Sequence, residues 1–139
     1  MPVKRVVIQA DGAAEPNPGS AAIGATIKSE TGSLIAAISQ SIGRATNNQA
    51  EYRAIIAALE KAIELGARQV DIRLDSQLVV RQVGGGYRVK NTGLKPLYQR
   101  VKQLLGLLEG FTITHIPREQ NAEADNLASM ALRRSHTIP

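Results

Sequence analysis

The run from Val3 to Ala10, Val-Lys-Arg-Val-Val-Ile-Gln-Ala, constrains the fold more than any other stretch of the chain. It is rich in β-branched residues and mostly apolar on both faces, so it reads as a strand in the middle of a covered sheet. It leads into Asp11 and then into a loop, Asp11 to Gly19, whose Gly and Pro residues permit close backbone approach. A buried strand that delivers a carboxylate to a loop mouth suits a hard metal. Taken alone, Asp11 reads as the start of an Asp-Gly turn.

The remaining pattern supplies the partners of that strand. Ser20 to Lys28 and Ser33 to Ile42 read as two more strands joined by a turn at Ser29-Glu30-Thr31-Gly32, which makes three sequential antiparallel strands. Asn47 to Leu65 predicts a helix, with Ala54, Ala58 and Ala62 beside Ile55, Leu59 and Ile63 on one face and Gly66 to stop it. Gln69 to Leu74 alternates and ends at Asp75; the helical crossover before it places this fourth strand parallel to the first. Ser76 to Val83 predicts a short helix, Leu94 to Leu108 a longer one, and Phe111 to Ile116 a fifth strand broken by Pro117. Asn121 is expected to cap a last helix with Ala124, Leu127, Ala128, Ala131 and Leu132 on its apolar face. The order is βββαβααβα: an α/β fold with a mixed five-stranded sheet and helices packed on it.

At 139 residues the chain has room for one domain, assigned to residues 1–132, with 133–139 as a frayed C-terminal tail. No window approaches the roughly 20 apolar residues of a membrane span, so no membrane partner is expected. Met-Pro-Val-Lys-Arg runs straight into a strand pattern without the apolar segment of a secretory signal, which predicts a cytoplasmic location. The absence of cysteine excludes disulfides, zinc-cysteine sites and thiol nucleophiles together. Net charge is +5, and its distribution is more telling than its sum. From Ser76 to Leu108 there is no acid, while Arg81, Arg88, Lys90, Lys95, Arg100 and Lys102 all fall there. Such a surface favours a polyanion, although a solvated helix face has the same composition.

Four acids stand at element ends or beside apolar stripes. Asp11 ends the first strand, Glu51 lies in the first turn of the first helix on the face of Ile55 and Ala58, Asp75 ends the fourth strand, and Asp125 lies early in the last helix. Each has a local explanation: a capping box of Glu51 with Asn48, an N-cap at Asp75, a helix-dipole contact at Asp125. As a set they are harder to explain locally, because parallel neighbours would put Asp11 and Asp75 side by side with two helix N-termini bringing the others in. Carboxylates that close repel one another unless a cation lies among them. Oxygen-only ligation selects Mg²⁺ or Mn²⁺, and two such ions about 3.5–4 Å apart serve in-line phosphoryl displacement.

Asp11-Gly12-Ala13 with Asn17-Pro18-Gly19, Thr46-Asn47-Asn48-Gln49-Ala50-Glu51, Asp75-Ser76-Gln77-Leu78-Val79 and Asn121-Ala122-Glu123-Ala124-Asp125 occur in that order over nearly the whole chain. With these residues the chain resembles the ribonuclease H type I family, and most nearly its short-insertion subgroup found in archaea and some bacteria. The resemblance implies that Asp11, Glu51, Asp75 and Asp125 are the catalytic, metal-binding acids. It implies an endoribonuclease that cleaves the RNA strand of RNA/DNA hybrids by two-metal-ion hydrolysis, to 5′-phosphate and 3′-hydroxyl ends. Asn17, Asn48 and Gln77 match positions that contact the hybrid at the 2′-hydroxyls, whose donor and acceptor roles amides can meet. Arg44, Thr46 and Asn47 match a pocket for a DNA phosphate beside a helix N-terminus.

Three departures from the family pattern bear on substrate. The loop before the last acid, Pro117-Arg118-Glu119-Gln120, lacks the His many members carry there; Arg118 is the auxiliary candidate for holding phosphate, and His115 is read as structural. The basic insertion is reduced to Gly84 to Gly93, and with no Trp, stacking on the DNA strand falls to Tyr87 or Tyr98. Weaker or less selective hybrid binding is the expectation, with double-stranded RNA open as a second substrate and a monomer as the default state. Two other readings compete: a different nuclease of the same superfold and a non-catalytic hybrid-binding module. The first lacks the Asn17-Pro18-Gly19 and Thr46-Asn47-Asn48 surroundings, and the second would be marked by loss of an acid.

Overall fold

The strand that opens the chain lies at the centre of the sheet. In the computed structural model, which describes residues 4–137, β1 (Arg5–Glu15) stands third in a five-stranded sheet of order β3-β2-β1-β4-β5. Val3 of the predicted first strand and residues 138–139 of the predicted tail lie outside the described residues. β1 pairs antiparallel with β2 (Gly19–Ser29), which pairs antiparallel with β3 (Leu34–Ala45). On its other side β1 runs parallel to β4 (Gln69–Leu74), and β4 runs parallel to β5 (Gly110–His115). The mixed sheet expected from the sequence is therefore observed.

Period-two alternation divides the faces. Val6, Ile8 and Ala10 of β1 join Ile23, Ala25 and Ile27 of β2 and Val70, Ile72 and Leu74 of β4 in the main core. That face is covered by α1 (Asn47–Glu64), α2 (Gln77–Val83) and α3 (Lys95–Gly106), through Ile55, Leu59, Val79, Val83, Val101 and Leu104. Side chains such as Ile8 and Leu59, wholly removed from water, each contribute about 1.5–3 kcal/mol. The opposite face of β1 and β2 meets α4 (Ala122–Thr137), where Ala13 and Ala22 pack on Ala131 and Leu132. Small residues on both sides bring this helix close to the sheet.

The chain departs from its sequence reading in two places that matter here. The segment read as a loop from Asp11 is strand as far as Glu15, because β2 stays paired with β1 from Val6↔Ser29 to Glu15↔Ser20. Asp11 thus lies within the strand. The stretch from Arg133, read as a frayed tail, continues α4 to Thr137, and Arg134 Nη2 donates to the Ser39 carbonyl oxygen at 3.1 Å.

Candidate active site

The cleft forms where β1 loses one neighbour. Its pairing with β4 runs only from Arg5↔Gln69 to Gln9↔Arg73, while its pairing with β2 continues. Carried two residues further, the same parallel register sets Asp11 beside Asp75, which directly follows β4. Beyond that point, side chains satisfy the backbone of β1. Asn121 Nδ2 donates to the Ala10 carbonyl at 3.0 Å, the Gly12 N–H donates to Asp11 Oδ1 at 3.0 Å, and the Ala14 N–H donates to Asn47 Oδ1 at 2.7 Å. Buried backbone groups need such partners once a ladder ends.

Glu51 reaches the cleft from α1, and the local explanation offered for it does not apply. The capping box at the start of α1 is made by Thr46 and Gln49: the Gln49 N–H donates to Thr46 Oγ1, and the Thr46 N–H donates to Gln49 Oε1. Gly12 permits the close approach of α1, since a Cβ there would lie 2.3 Å from the Ala50 carbonyl carbon and 2.5 Å from the Glu51 nitrogen. Asp75 is likewise free of a capping role, because Ser76 caps α2 with its hydroxyl accepting from the Val79 N–H. The buried Tyr52 hydroxyl donates to Gln82 Oε1 at 2.7 Å and ties α1 to α2.

Carboxylate oxygens of Asp11, Glu51 and Asp75 all lie within 4.8 Å of one another. Asp125 enters through a hydrogen bond with the Asp11 carboxyl. Asp11 is 8% exposed. Burial, that hydrogen bond, and the charges of Asp75, Glu51 and Asp125 push its pKa up to about 8. Burial and the charge of Asp75 push Glu51 up to about 7, against a lowering hydrogen bond from Ser76. Without a cation these groups hold protons near neutral pH. All donors are carboxylate oxygens, so a hard divalent cation fits the cluster and would release those protons.

The four acids line a cleft of about 410 Å³, together with Glu15, Asn47 and Arg118. Arg118 is the first residue of the 3₁₀ turn Arg118–Asn121 and lines the cleft. His115 is the last residue of β5, exposed at the strand end, and does not line the cleft. Among the residues matched to substrate, Asn17 Oδ1 accepts from the Asn47 N–H at 3.0 Å, and Asn47 in turn braces Ala14. Thr46 is the N-cap of α1, Arg44 lies at the end of β3, and Asn48 and Gln77 are exposed in the first turns of α1 and α2. Tyr87 and Tyr98 line a second pocket of about 490 Å³ with Arg88 and Lys95.

Sequence reasoning missed three residues of this site. Asn121, expected to cap α4, is fully buried with its side chain turned to β1. Gly12 and Gly24 each stand inside a strand where a helix backbone touches the sheet; a glycine inside the predicted strand Ser20 to Lys28 is the signal that could have found Gly24, whereas Gly12 reads as part of a turn.

Fold and site together define a ribonuclease H-like domain with a carboxylate centre. A family model described as reverse transcriptase-like matches residues 9–131. The chain belongs to the ribonuclease H type I family. It is 44% identical to ribonuclease HI of Halobacterium salinarum over 92% of its length and 64% of that protein's. The crystal structure of RNase H1 from that archaeon superposes with a TM-score of 0.91, covering 94% of this chain and 98% of that one. A bifunctional protein of Mycobacterium tuberculosis is 41% identical over 92% of this chain but only 35% of its own length. LC11-RNase H1, solved in complex with an RNA/DNA hybrid, is 38% identical with a TM-score of 0.91, covering 95% and 99% of the two chains. The chain thus spans under two thirds of the Halobacterium relative and about a third of the mycobacterial one.

Proposed function

We propose that this chain is an endoribonuclease that hydrolyses the RNA strand of RNA/DNA hybrids at the cleft between β1, β4, α1 and α4, leaving 5′-phosphate and 3′-hydroxyl ends. The observation that carries this reading is the convergence of Asp11, Glu51 and Asp75 within 4.8 Å, with Asp125 on Asp11, from separate elements of the fold. It is supported by a relative solved with a hybrid. Asp11, Glu51, Asp75 and Asp125 would hold two divalent ions, Mg²⁺ or Mn²⁺. Such ions would activate water, neutralise the scissile phosphate and stabilise the leaving oxygen.

The protein's own part is to position. Asn17 has its carbonyl engaged by α1, so its amide nitrogen is left to donate to an RNA sugar. Asn48 and Gln77, exposed in the first turns of α1 and α2, are assigned to the 2′-hydroxyls, where an amide can both donate and accept. Arg44, Thr46 and Asn47 stand at the N-terminus of α1, which favours a phosphate of the DNA strand. Arg118 is assigned to a phosphate of the RNA strand, as a permanently charged donor that does not shuttle protons. Tyr87 and Tyr98, with Arg88 and Lys95 beside them, suit stacking and phosphate contact on the DNA strand. The same reading takes the fold from β1 through the end of α4 as one catalytic domain, acting as a monomer in the cytoplasm.

The test is a labelled hybrid incubated with the protein and either Mg²⁺ or Mn²⁺, with double-stranded RNA run alongside. Cleavage of the RNA strand that disappears in Asp11→Asn supports the proposal. An inert parent protein, or an Asp11→Asn variant as active as the parent, overturns it.

A further inference from the structure

Asn121 is wholly removed from solvent, yet its amide is spent on a segment far away in sequence. Its Nδ2 donates to the Ala10 carbonyl at 3.0 Å, and its Oδ1 accepts from Gln9 Nε2 at 3.5 Å. Gln9 Nε2 also donates to the Gln120 carbonyl at 2.8 Å. The 3₁₀ turn that carries Arg118 and the start of α4 are therefore fastened to β1 at the residue before Asp11. One helical turn beyond Asn121, on the same side of the helix, stands Asp125, whose carboxyl meets Asp11. Successive residues of β1, Ala10 and Asp11, thus receive Asn121 and Asp125 in turn.

We propose that Asn121 is the positioning residue that sets Asp125 against Asp11, and so fixes the geometry in which the cluster takes up metal. The proposal rests on the metal-dependent reading of the cleft given above. Ala10 is where β1 has lost β4, so its carbonyl has no ladder partner. Filling that place with a side chain from the turn before α4 satisfies the strand and aims the helix in one contact. A carboxylate at position 121 has the same shape but no donor for the Ala10 oxygen. A shorter side chain leaves that carbonyl buried without a partner.

The proposal is tested by calorimetric titration of Mn²⁺ into the metal-free full chain, comparing the parent with Asn121→Ala, Asn121→Asp and Asp125→Asn. Titrations are run at a temperature where circular dichroism shows each variant folded. The dissociation constant is expected to rise on the order of 10- to 100-fold in both Asn121 variants, the range typical of groups that orient metal ligands. Because Asn121 acts through Asp125, adding Asn121→Ala to Asp125→Asn should weaken binding by less than a further twofold. Where the parent cleaves hybrid, kcat should fall while KM for hybrid stays within about twofold. Manganese affinity in folded Asn121→Ala within twofold of the parent overturns the proposal, as does a double variant whose effects multiply. If Asn121→Ala does not fold, Asn121→Asp decides by the same criterion. A parent that binds Mn²⁺ but cleaves nothing defeats the hydrolase reading and leaves this inference to the titrations.

Discussion

Gly24 is the cross-strand partner of Asp11, and a Cβ placed on it would lie 2.2 Å from the Ala124 carbonyl oxygen and 2.4 Å from the Ala128 nitrogen. The first turns of α4 therefore rest on the backbone of β2 directly opposite the central acid, and Asp125 reaches Asp11 because of it. Gly12 does the same for α1 on the other face, so each neighbour of Asp11 in the sheet admits one helix bearing an acid. Gly24→Ala is expected to push α4 away and destabilise the fold by about 1–3 kcal/mol, the usual cost of overpacking. Denaturant unfolding measures that cost. Hybrid cleavage in the same variant should fall by more than the folded fraction alone explains.

The acids themselves were legible in the sequence, because a carboxylate at the end of an apolar pattern is visible without coordinates. So was the sheet, since Val70, Ile72 and Leu74 alternate cleanly and the chain length before them forces a crossover. What the pattern could not show was where β1 stops. Asp11-Gly12 looks like a turn locally, and only pairing with β2 across Ala10↔Ala25 to Glu15↔Ser20 keeps it extended. Asn121 was misread for a related reason. An Asn before a helix is the expected cap, and nothing in the sequence reveals that Ala10, far upstream, offers an unpaired carbonyl.

Loss of the central acid should separate stability from activity. Asp11→Asn removes a group that is costly to ionise in the metal-free cleft, so the variant should be folded and at least as stable as the parent without metal. Its hybrid cleavage should fall on the order of 10³-fold or more, the scale of losing preorganised electrostatic stabilisation. Thermal unfolding in chelator and a cleavage time course, run on the same preparation, check both halves.

The metal-free protein should lose stability as pH rises. An acid with a higher pKa folded than unfolded binds its proton more tightly in the folded state, so its contribution is full below the unfolded value and is lost through the folded one. For Asp11 that window runs from an ordinary value of 3.8 up to about 8, and for Glu51 from 4.5 up to about 7. The melting temperature in chelator should fall between pH 5 and 8, and saturating Mg²⁺ should restore more at pH 8 than at pH 5. Asp11→Asn should flatten the slope and, at pH 8 without metal, melt on the order of 5 °C above the parent.

Asn47 joins the turn at Asn17 to the start of α1, with its side chain on Ala14 and its own N–H on Asn17 Oδ1. Asn47→Ala cuts the first of these and leaves the Ala14 N–H without its partner. The expected result is a rise in KM for hybrid of about 10-fold, from about 1.4 kcal/mol of lost binding, with kcat within about threefold. Steady-state kinetics on a short hybrid measures the split. An unchanged KM would remove Asn47 from the substrate surface.

The basic segment should make fewer phosphate contacts than its composition suggests, because the fold already engages half of it. Arg100 is paired with Glu60 at 2.9 Å, Arg81 stacks on Tyr87 with 5.2 Å to the ring centre, and Lys102 lies over Phe111 at 5.9 Å. Arg88, Lys90 and Lys95 carry no ion pair or ring contact among the described residues, and Arg88 and Lys95 line the pocket with both tyrosines. With Arg118 at the cleft and Arg44 at the end of β3, about five cations remain for a hybrid. Each phosphate neutralised on a duplex contributes about −0.9 to the log-log salt slope, so binding by a catalytically silent Asp11→Asn variant should show a slope of about −4.5. Arg88→Ala and Lys95→Ala should each bring the slope about one unit closer to zero, whereas Arg100→Ala should leave it nearly unchanged. Fluorescence anisotropy of a labelled hybrid across a salt series measures all four, and a parent slope steeper than about −7 would mean that the paired arginines swing out to meet the substrate.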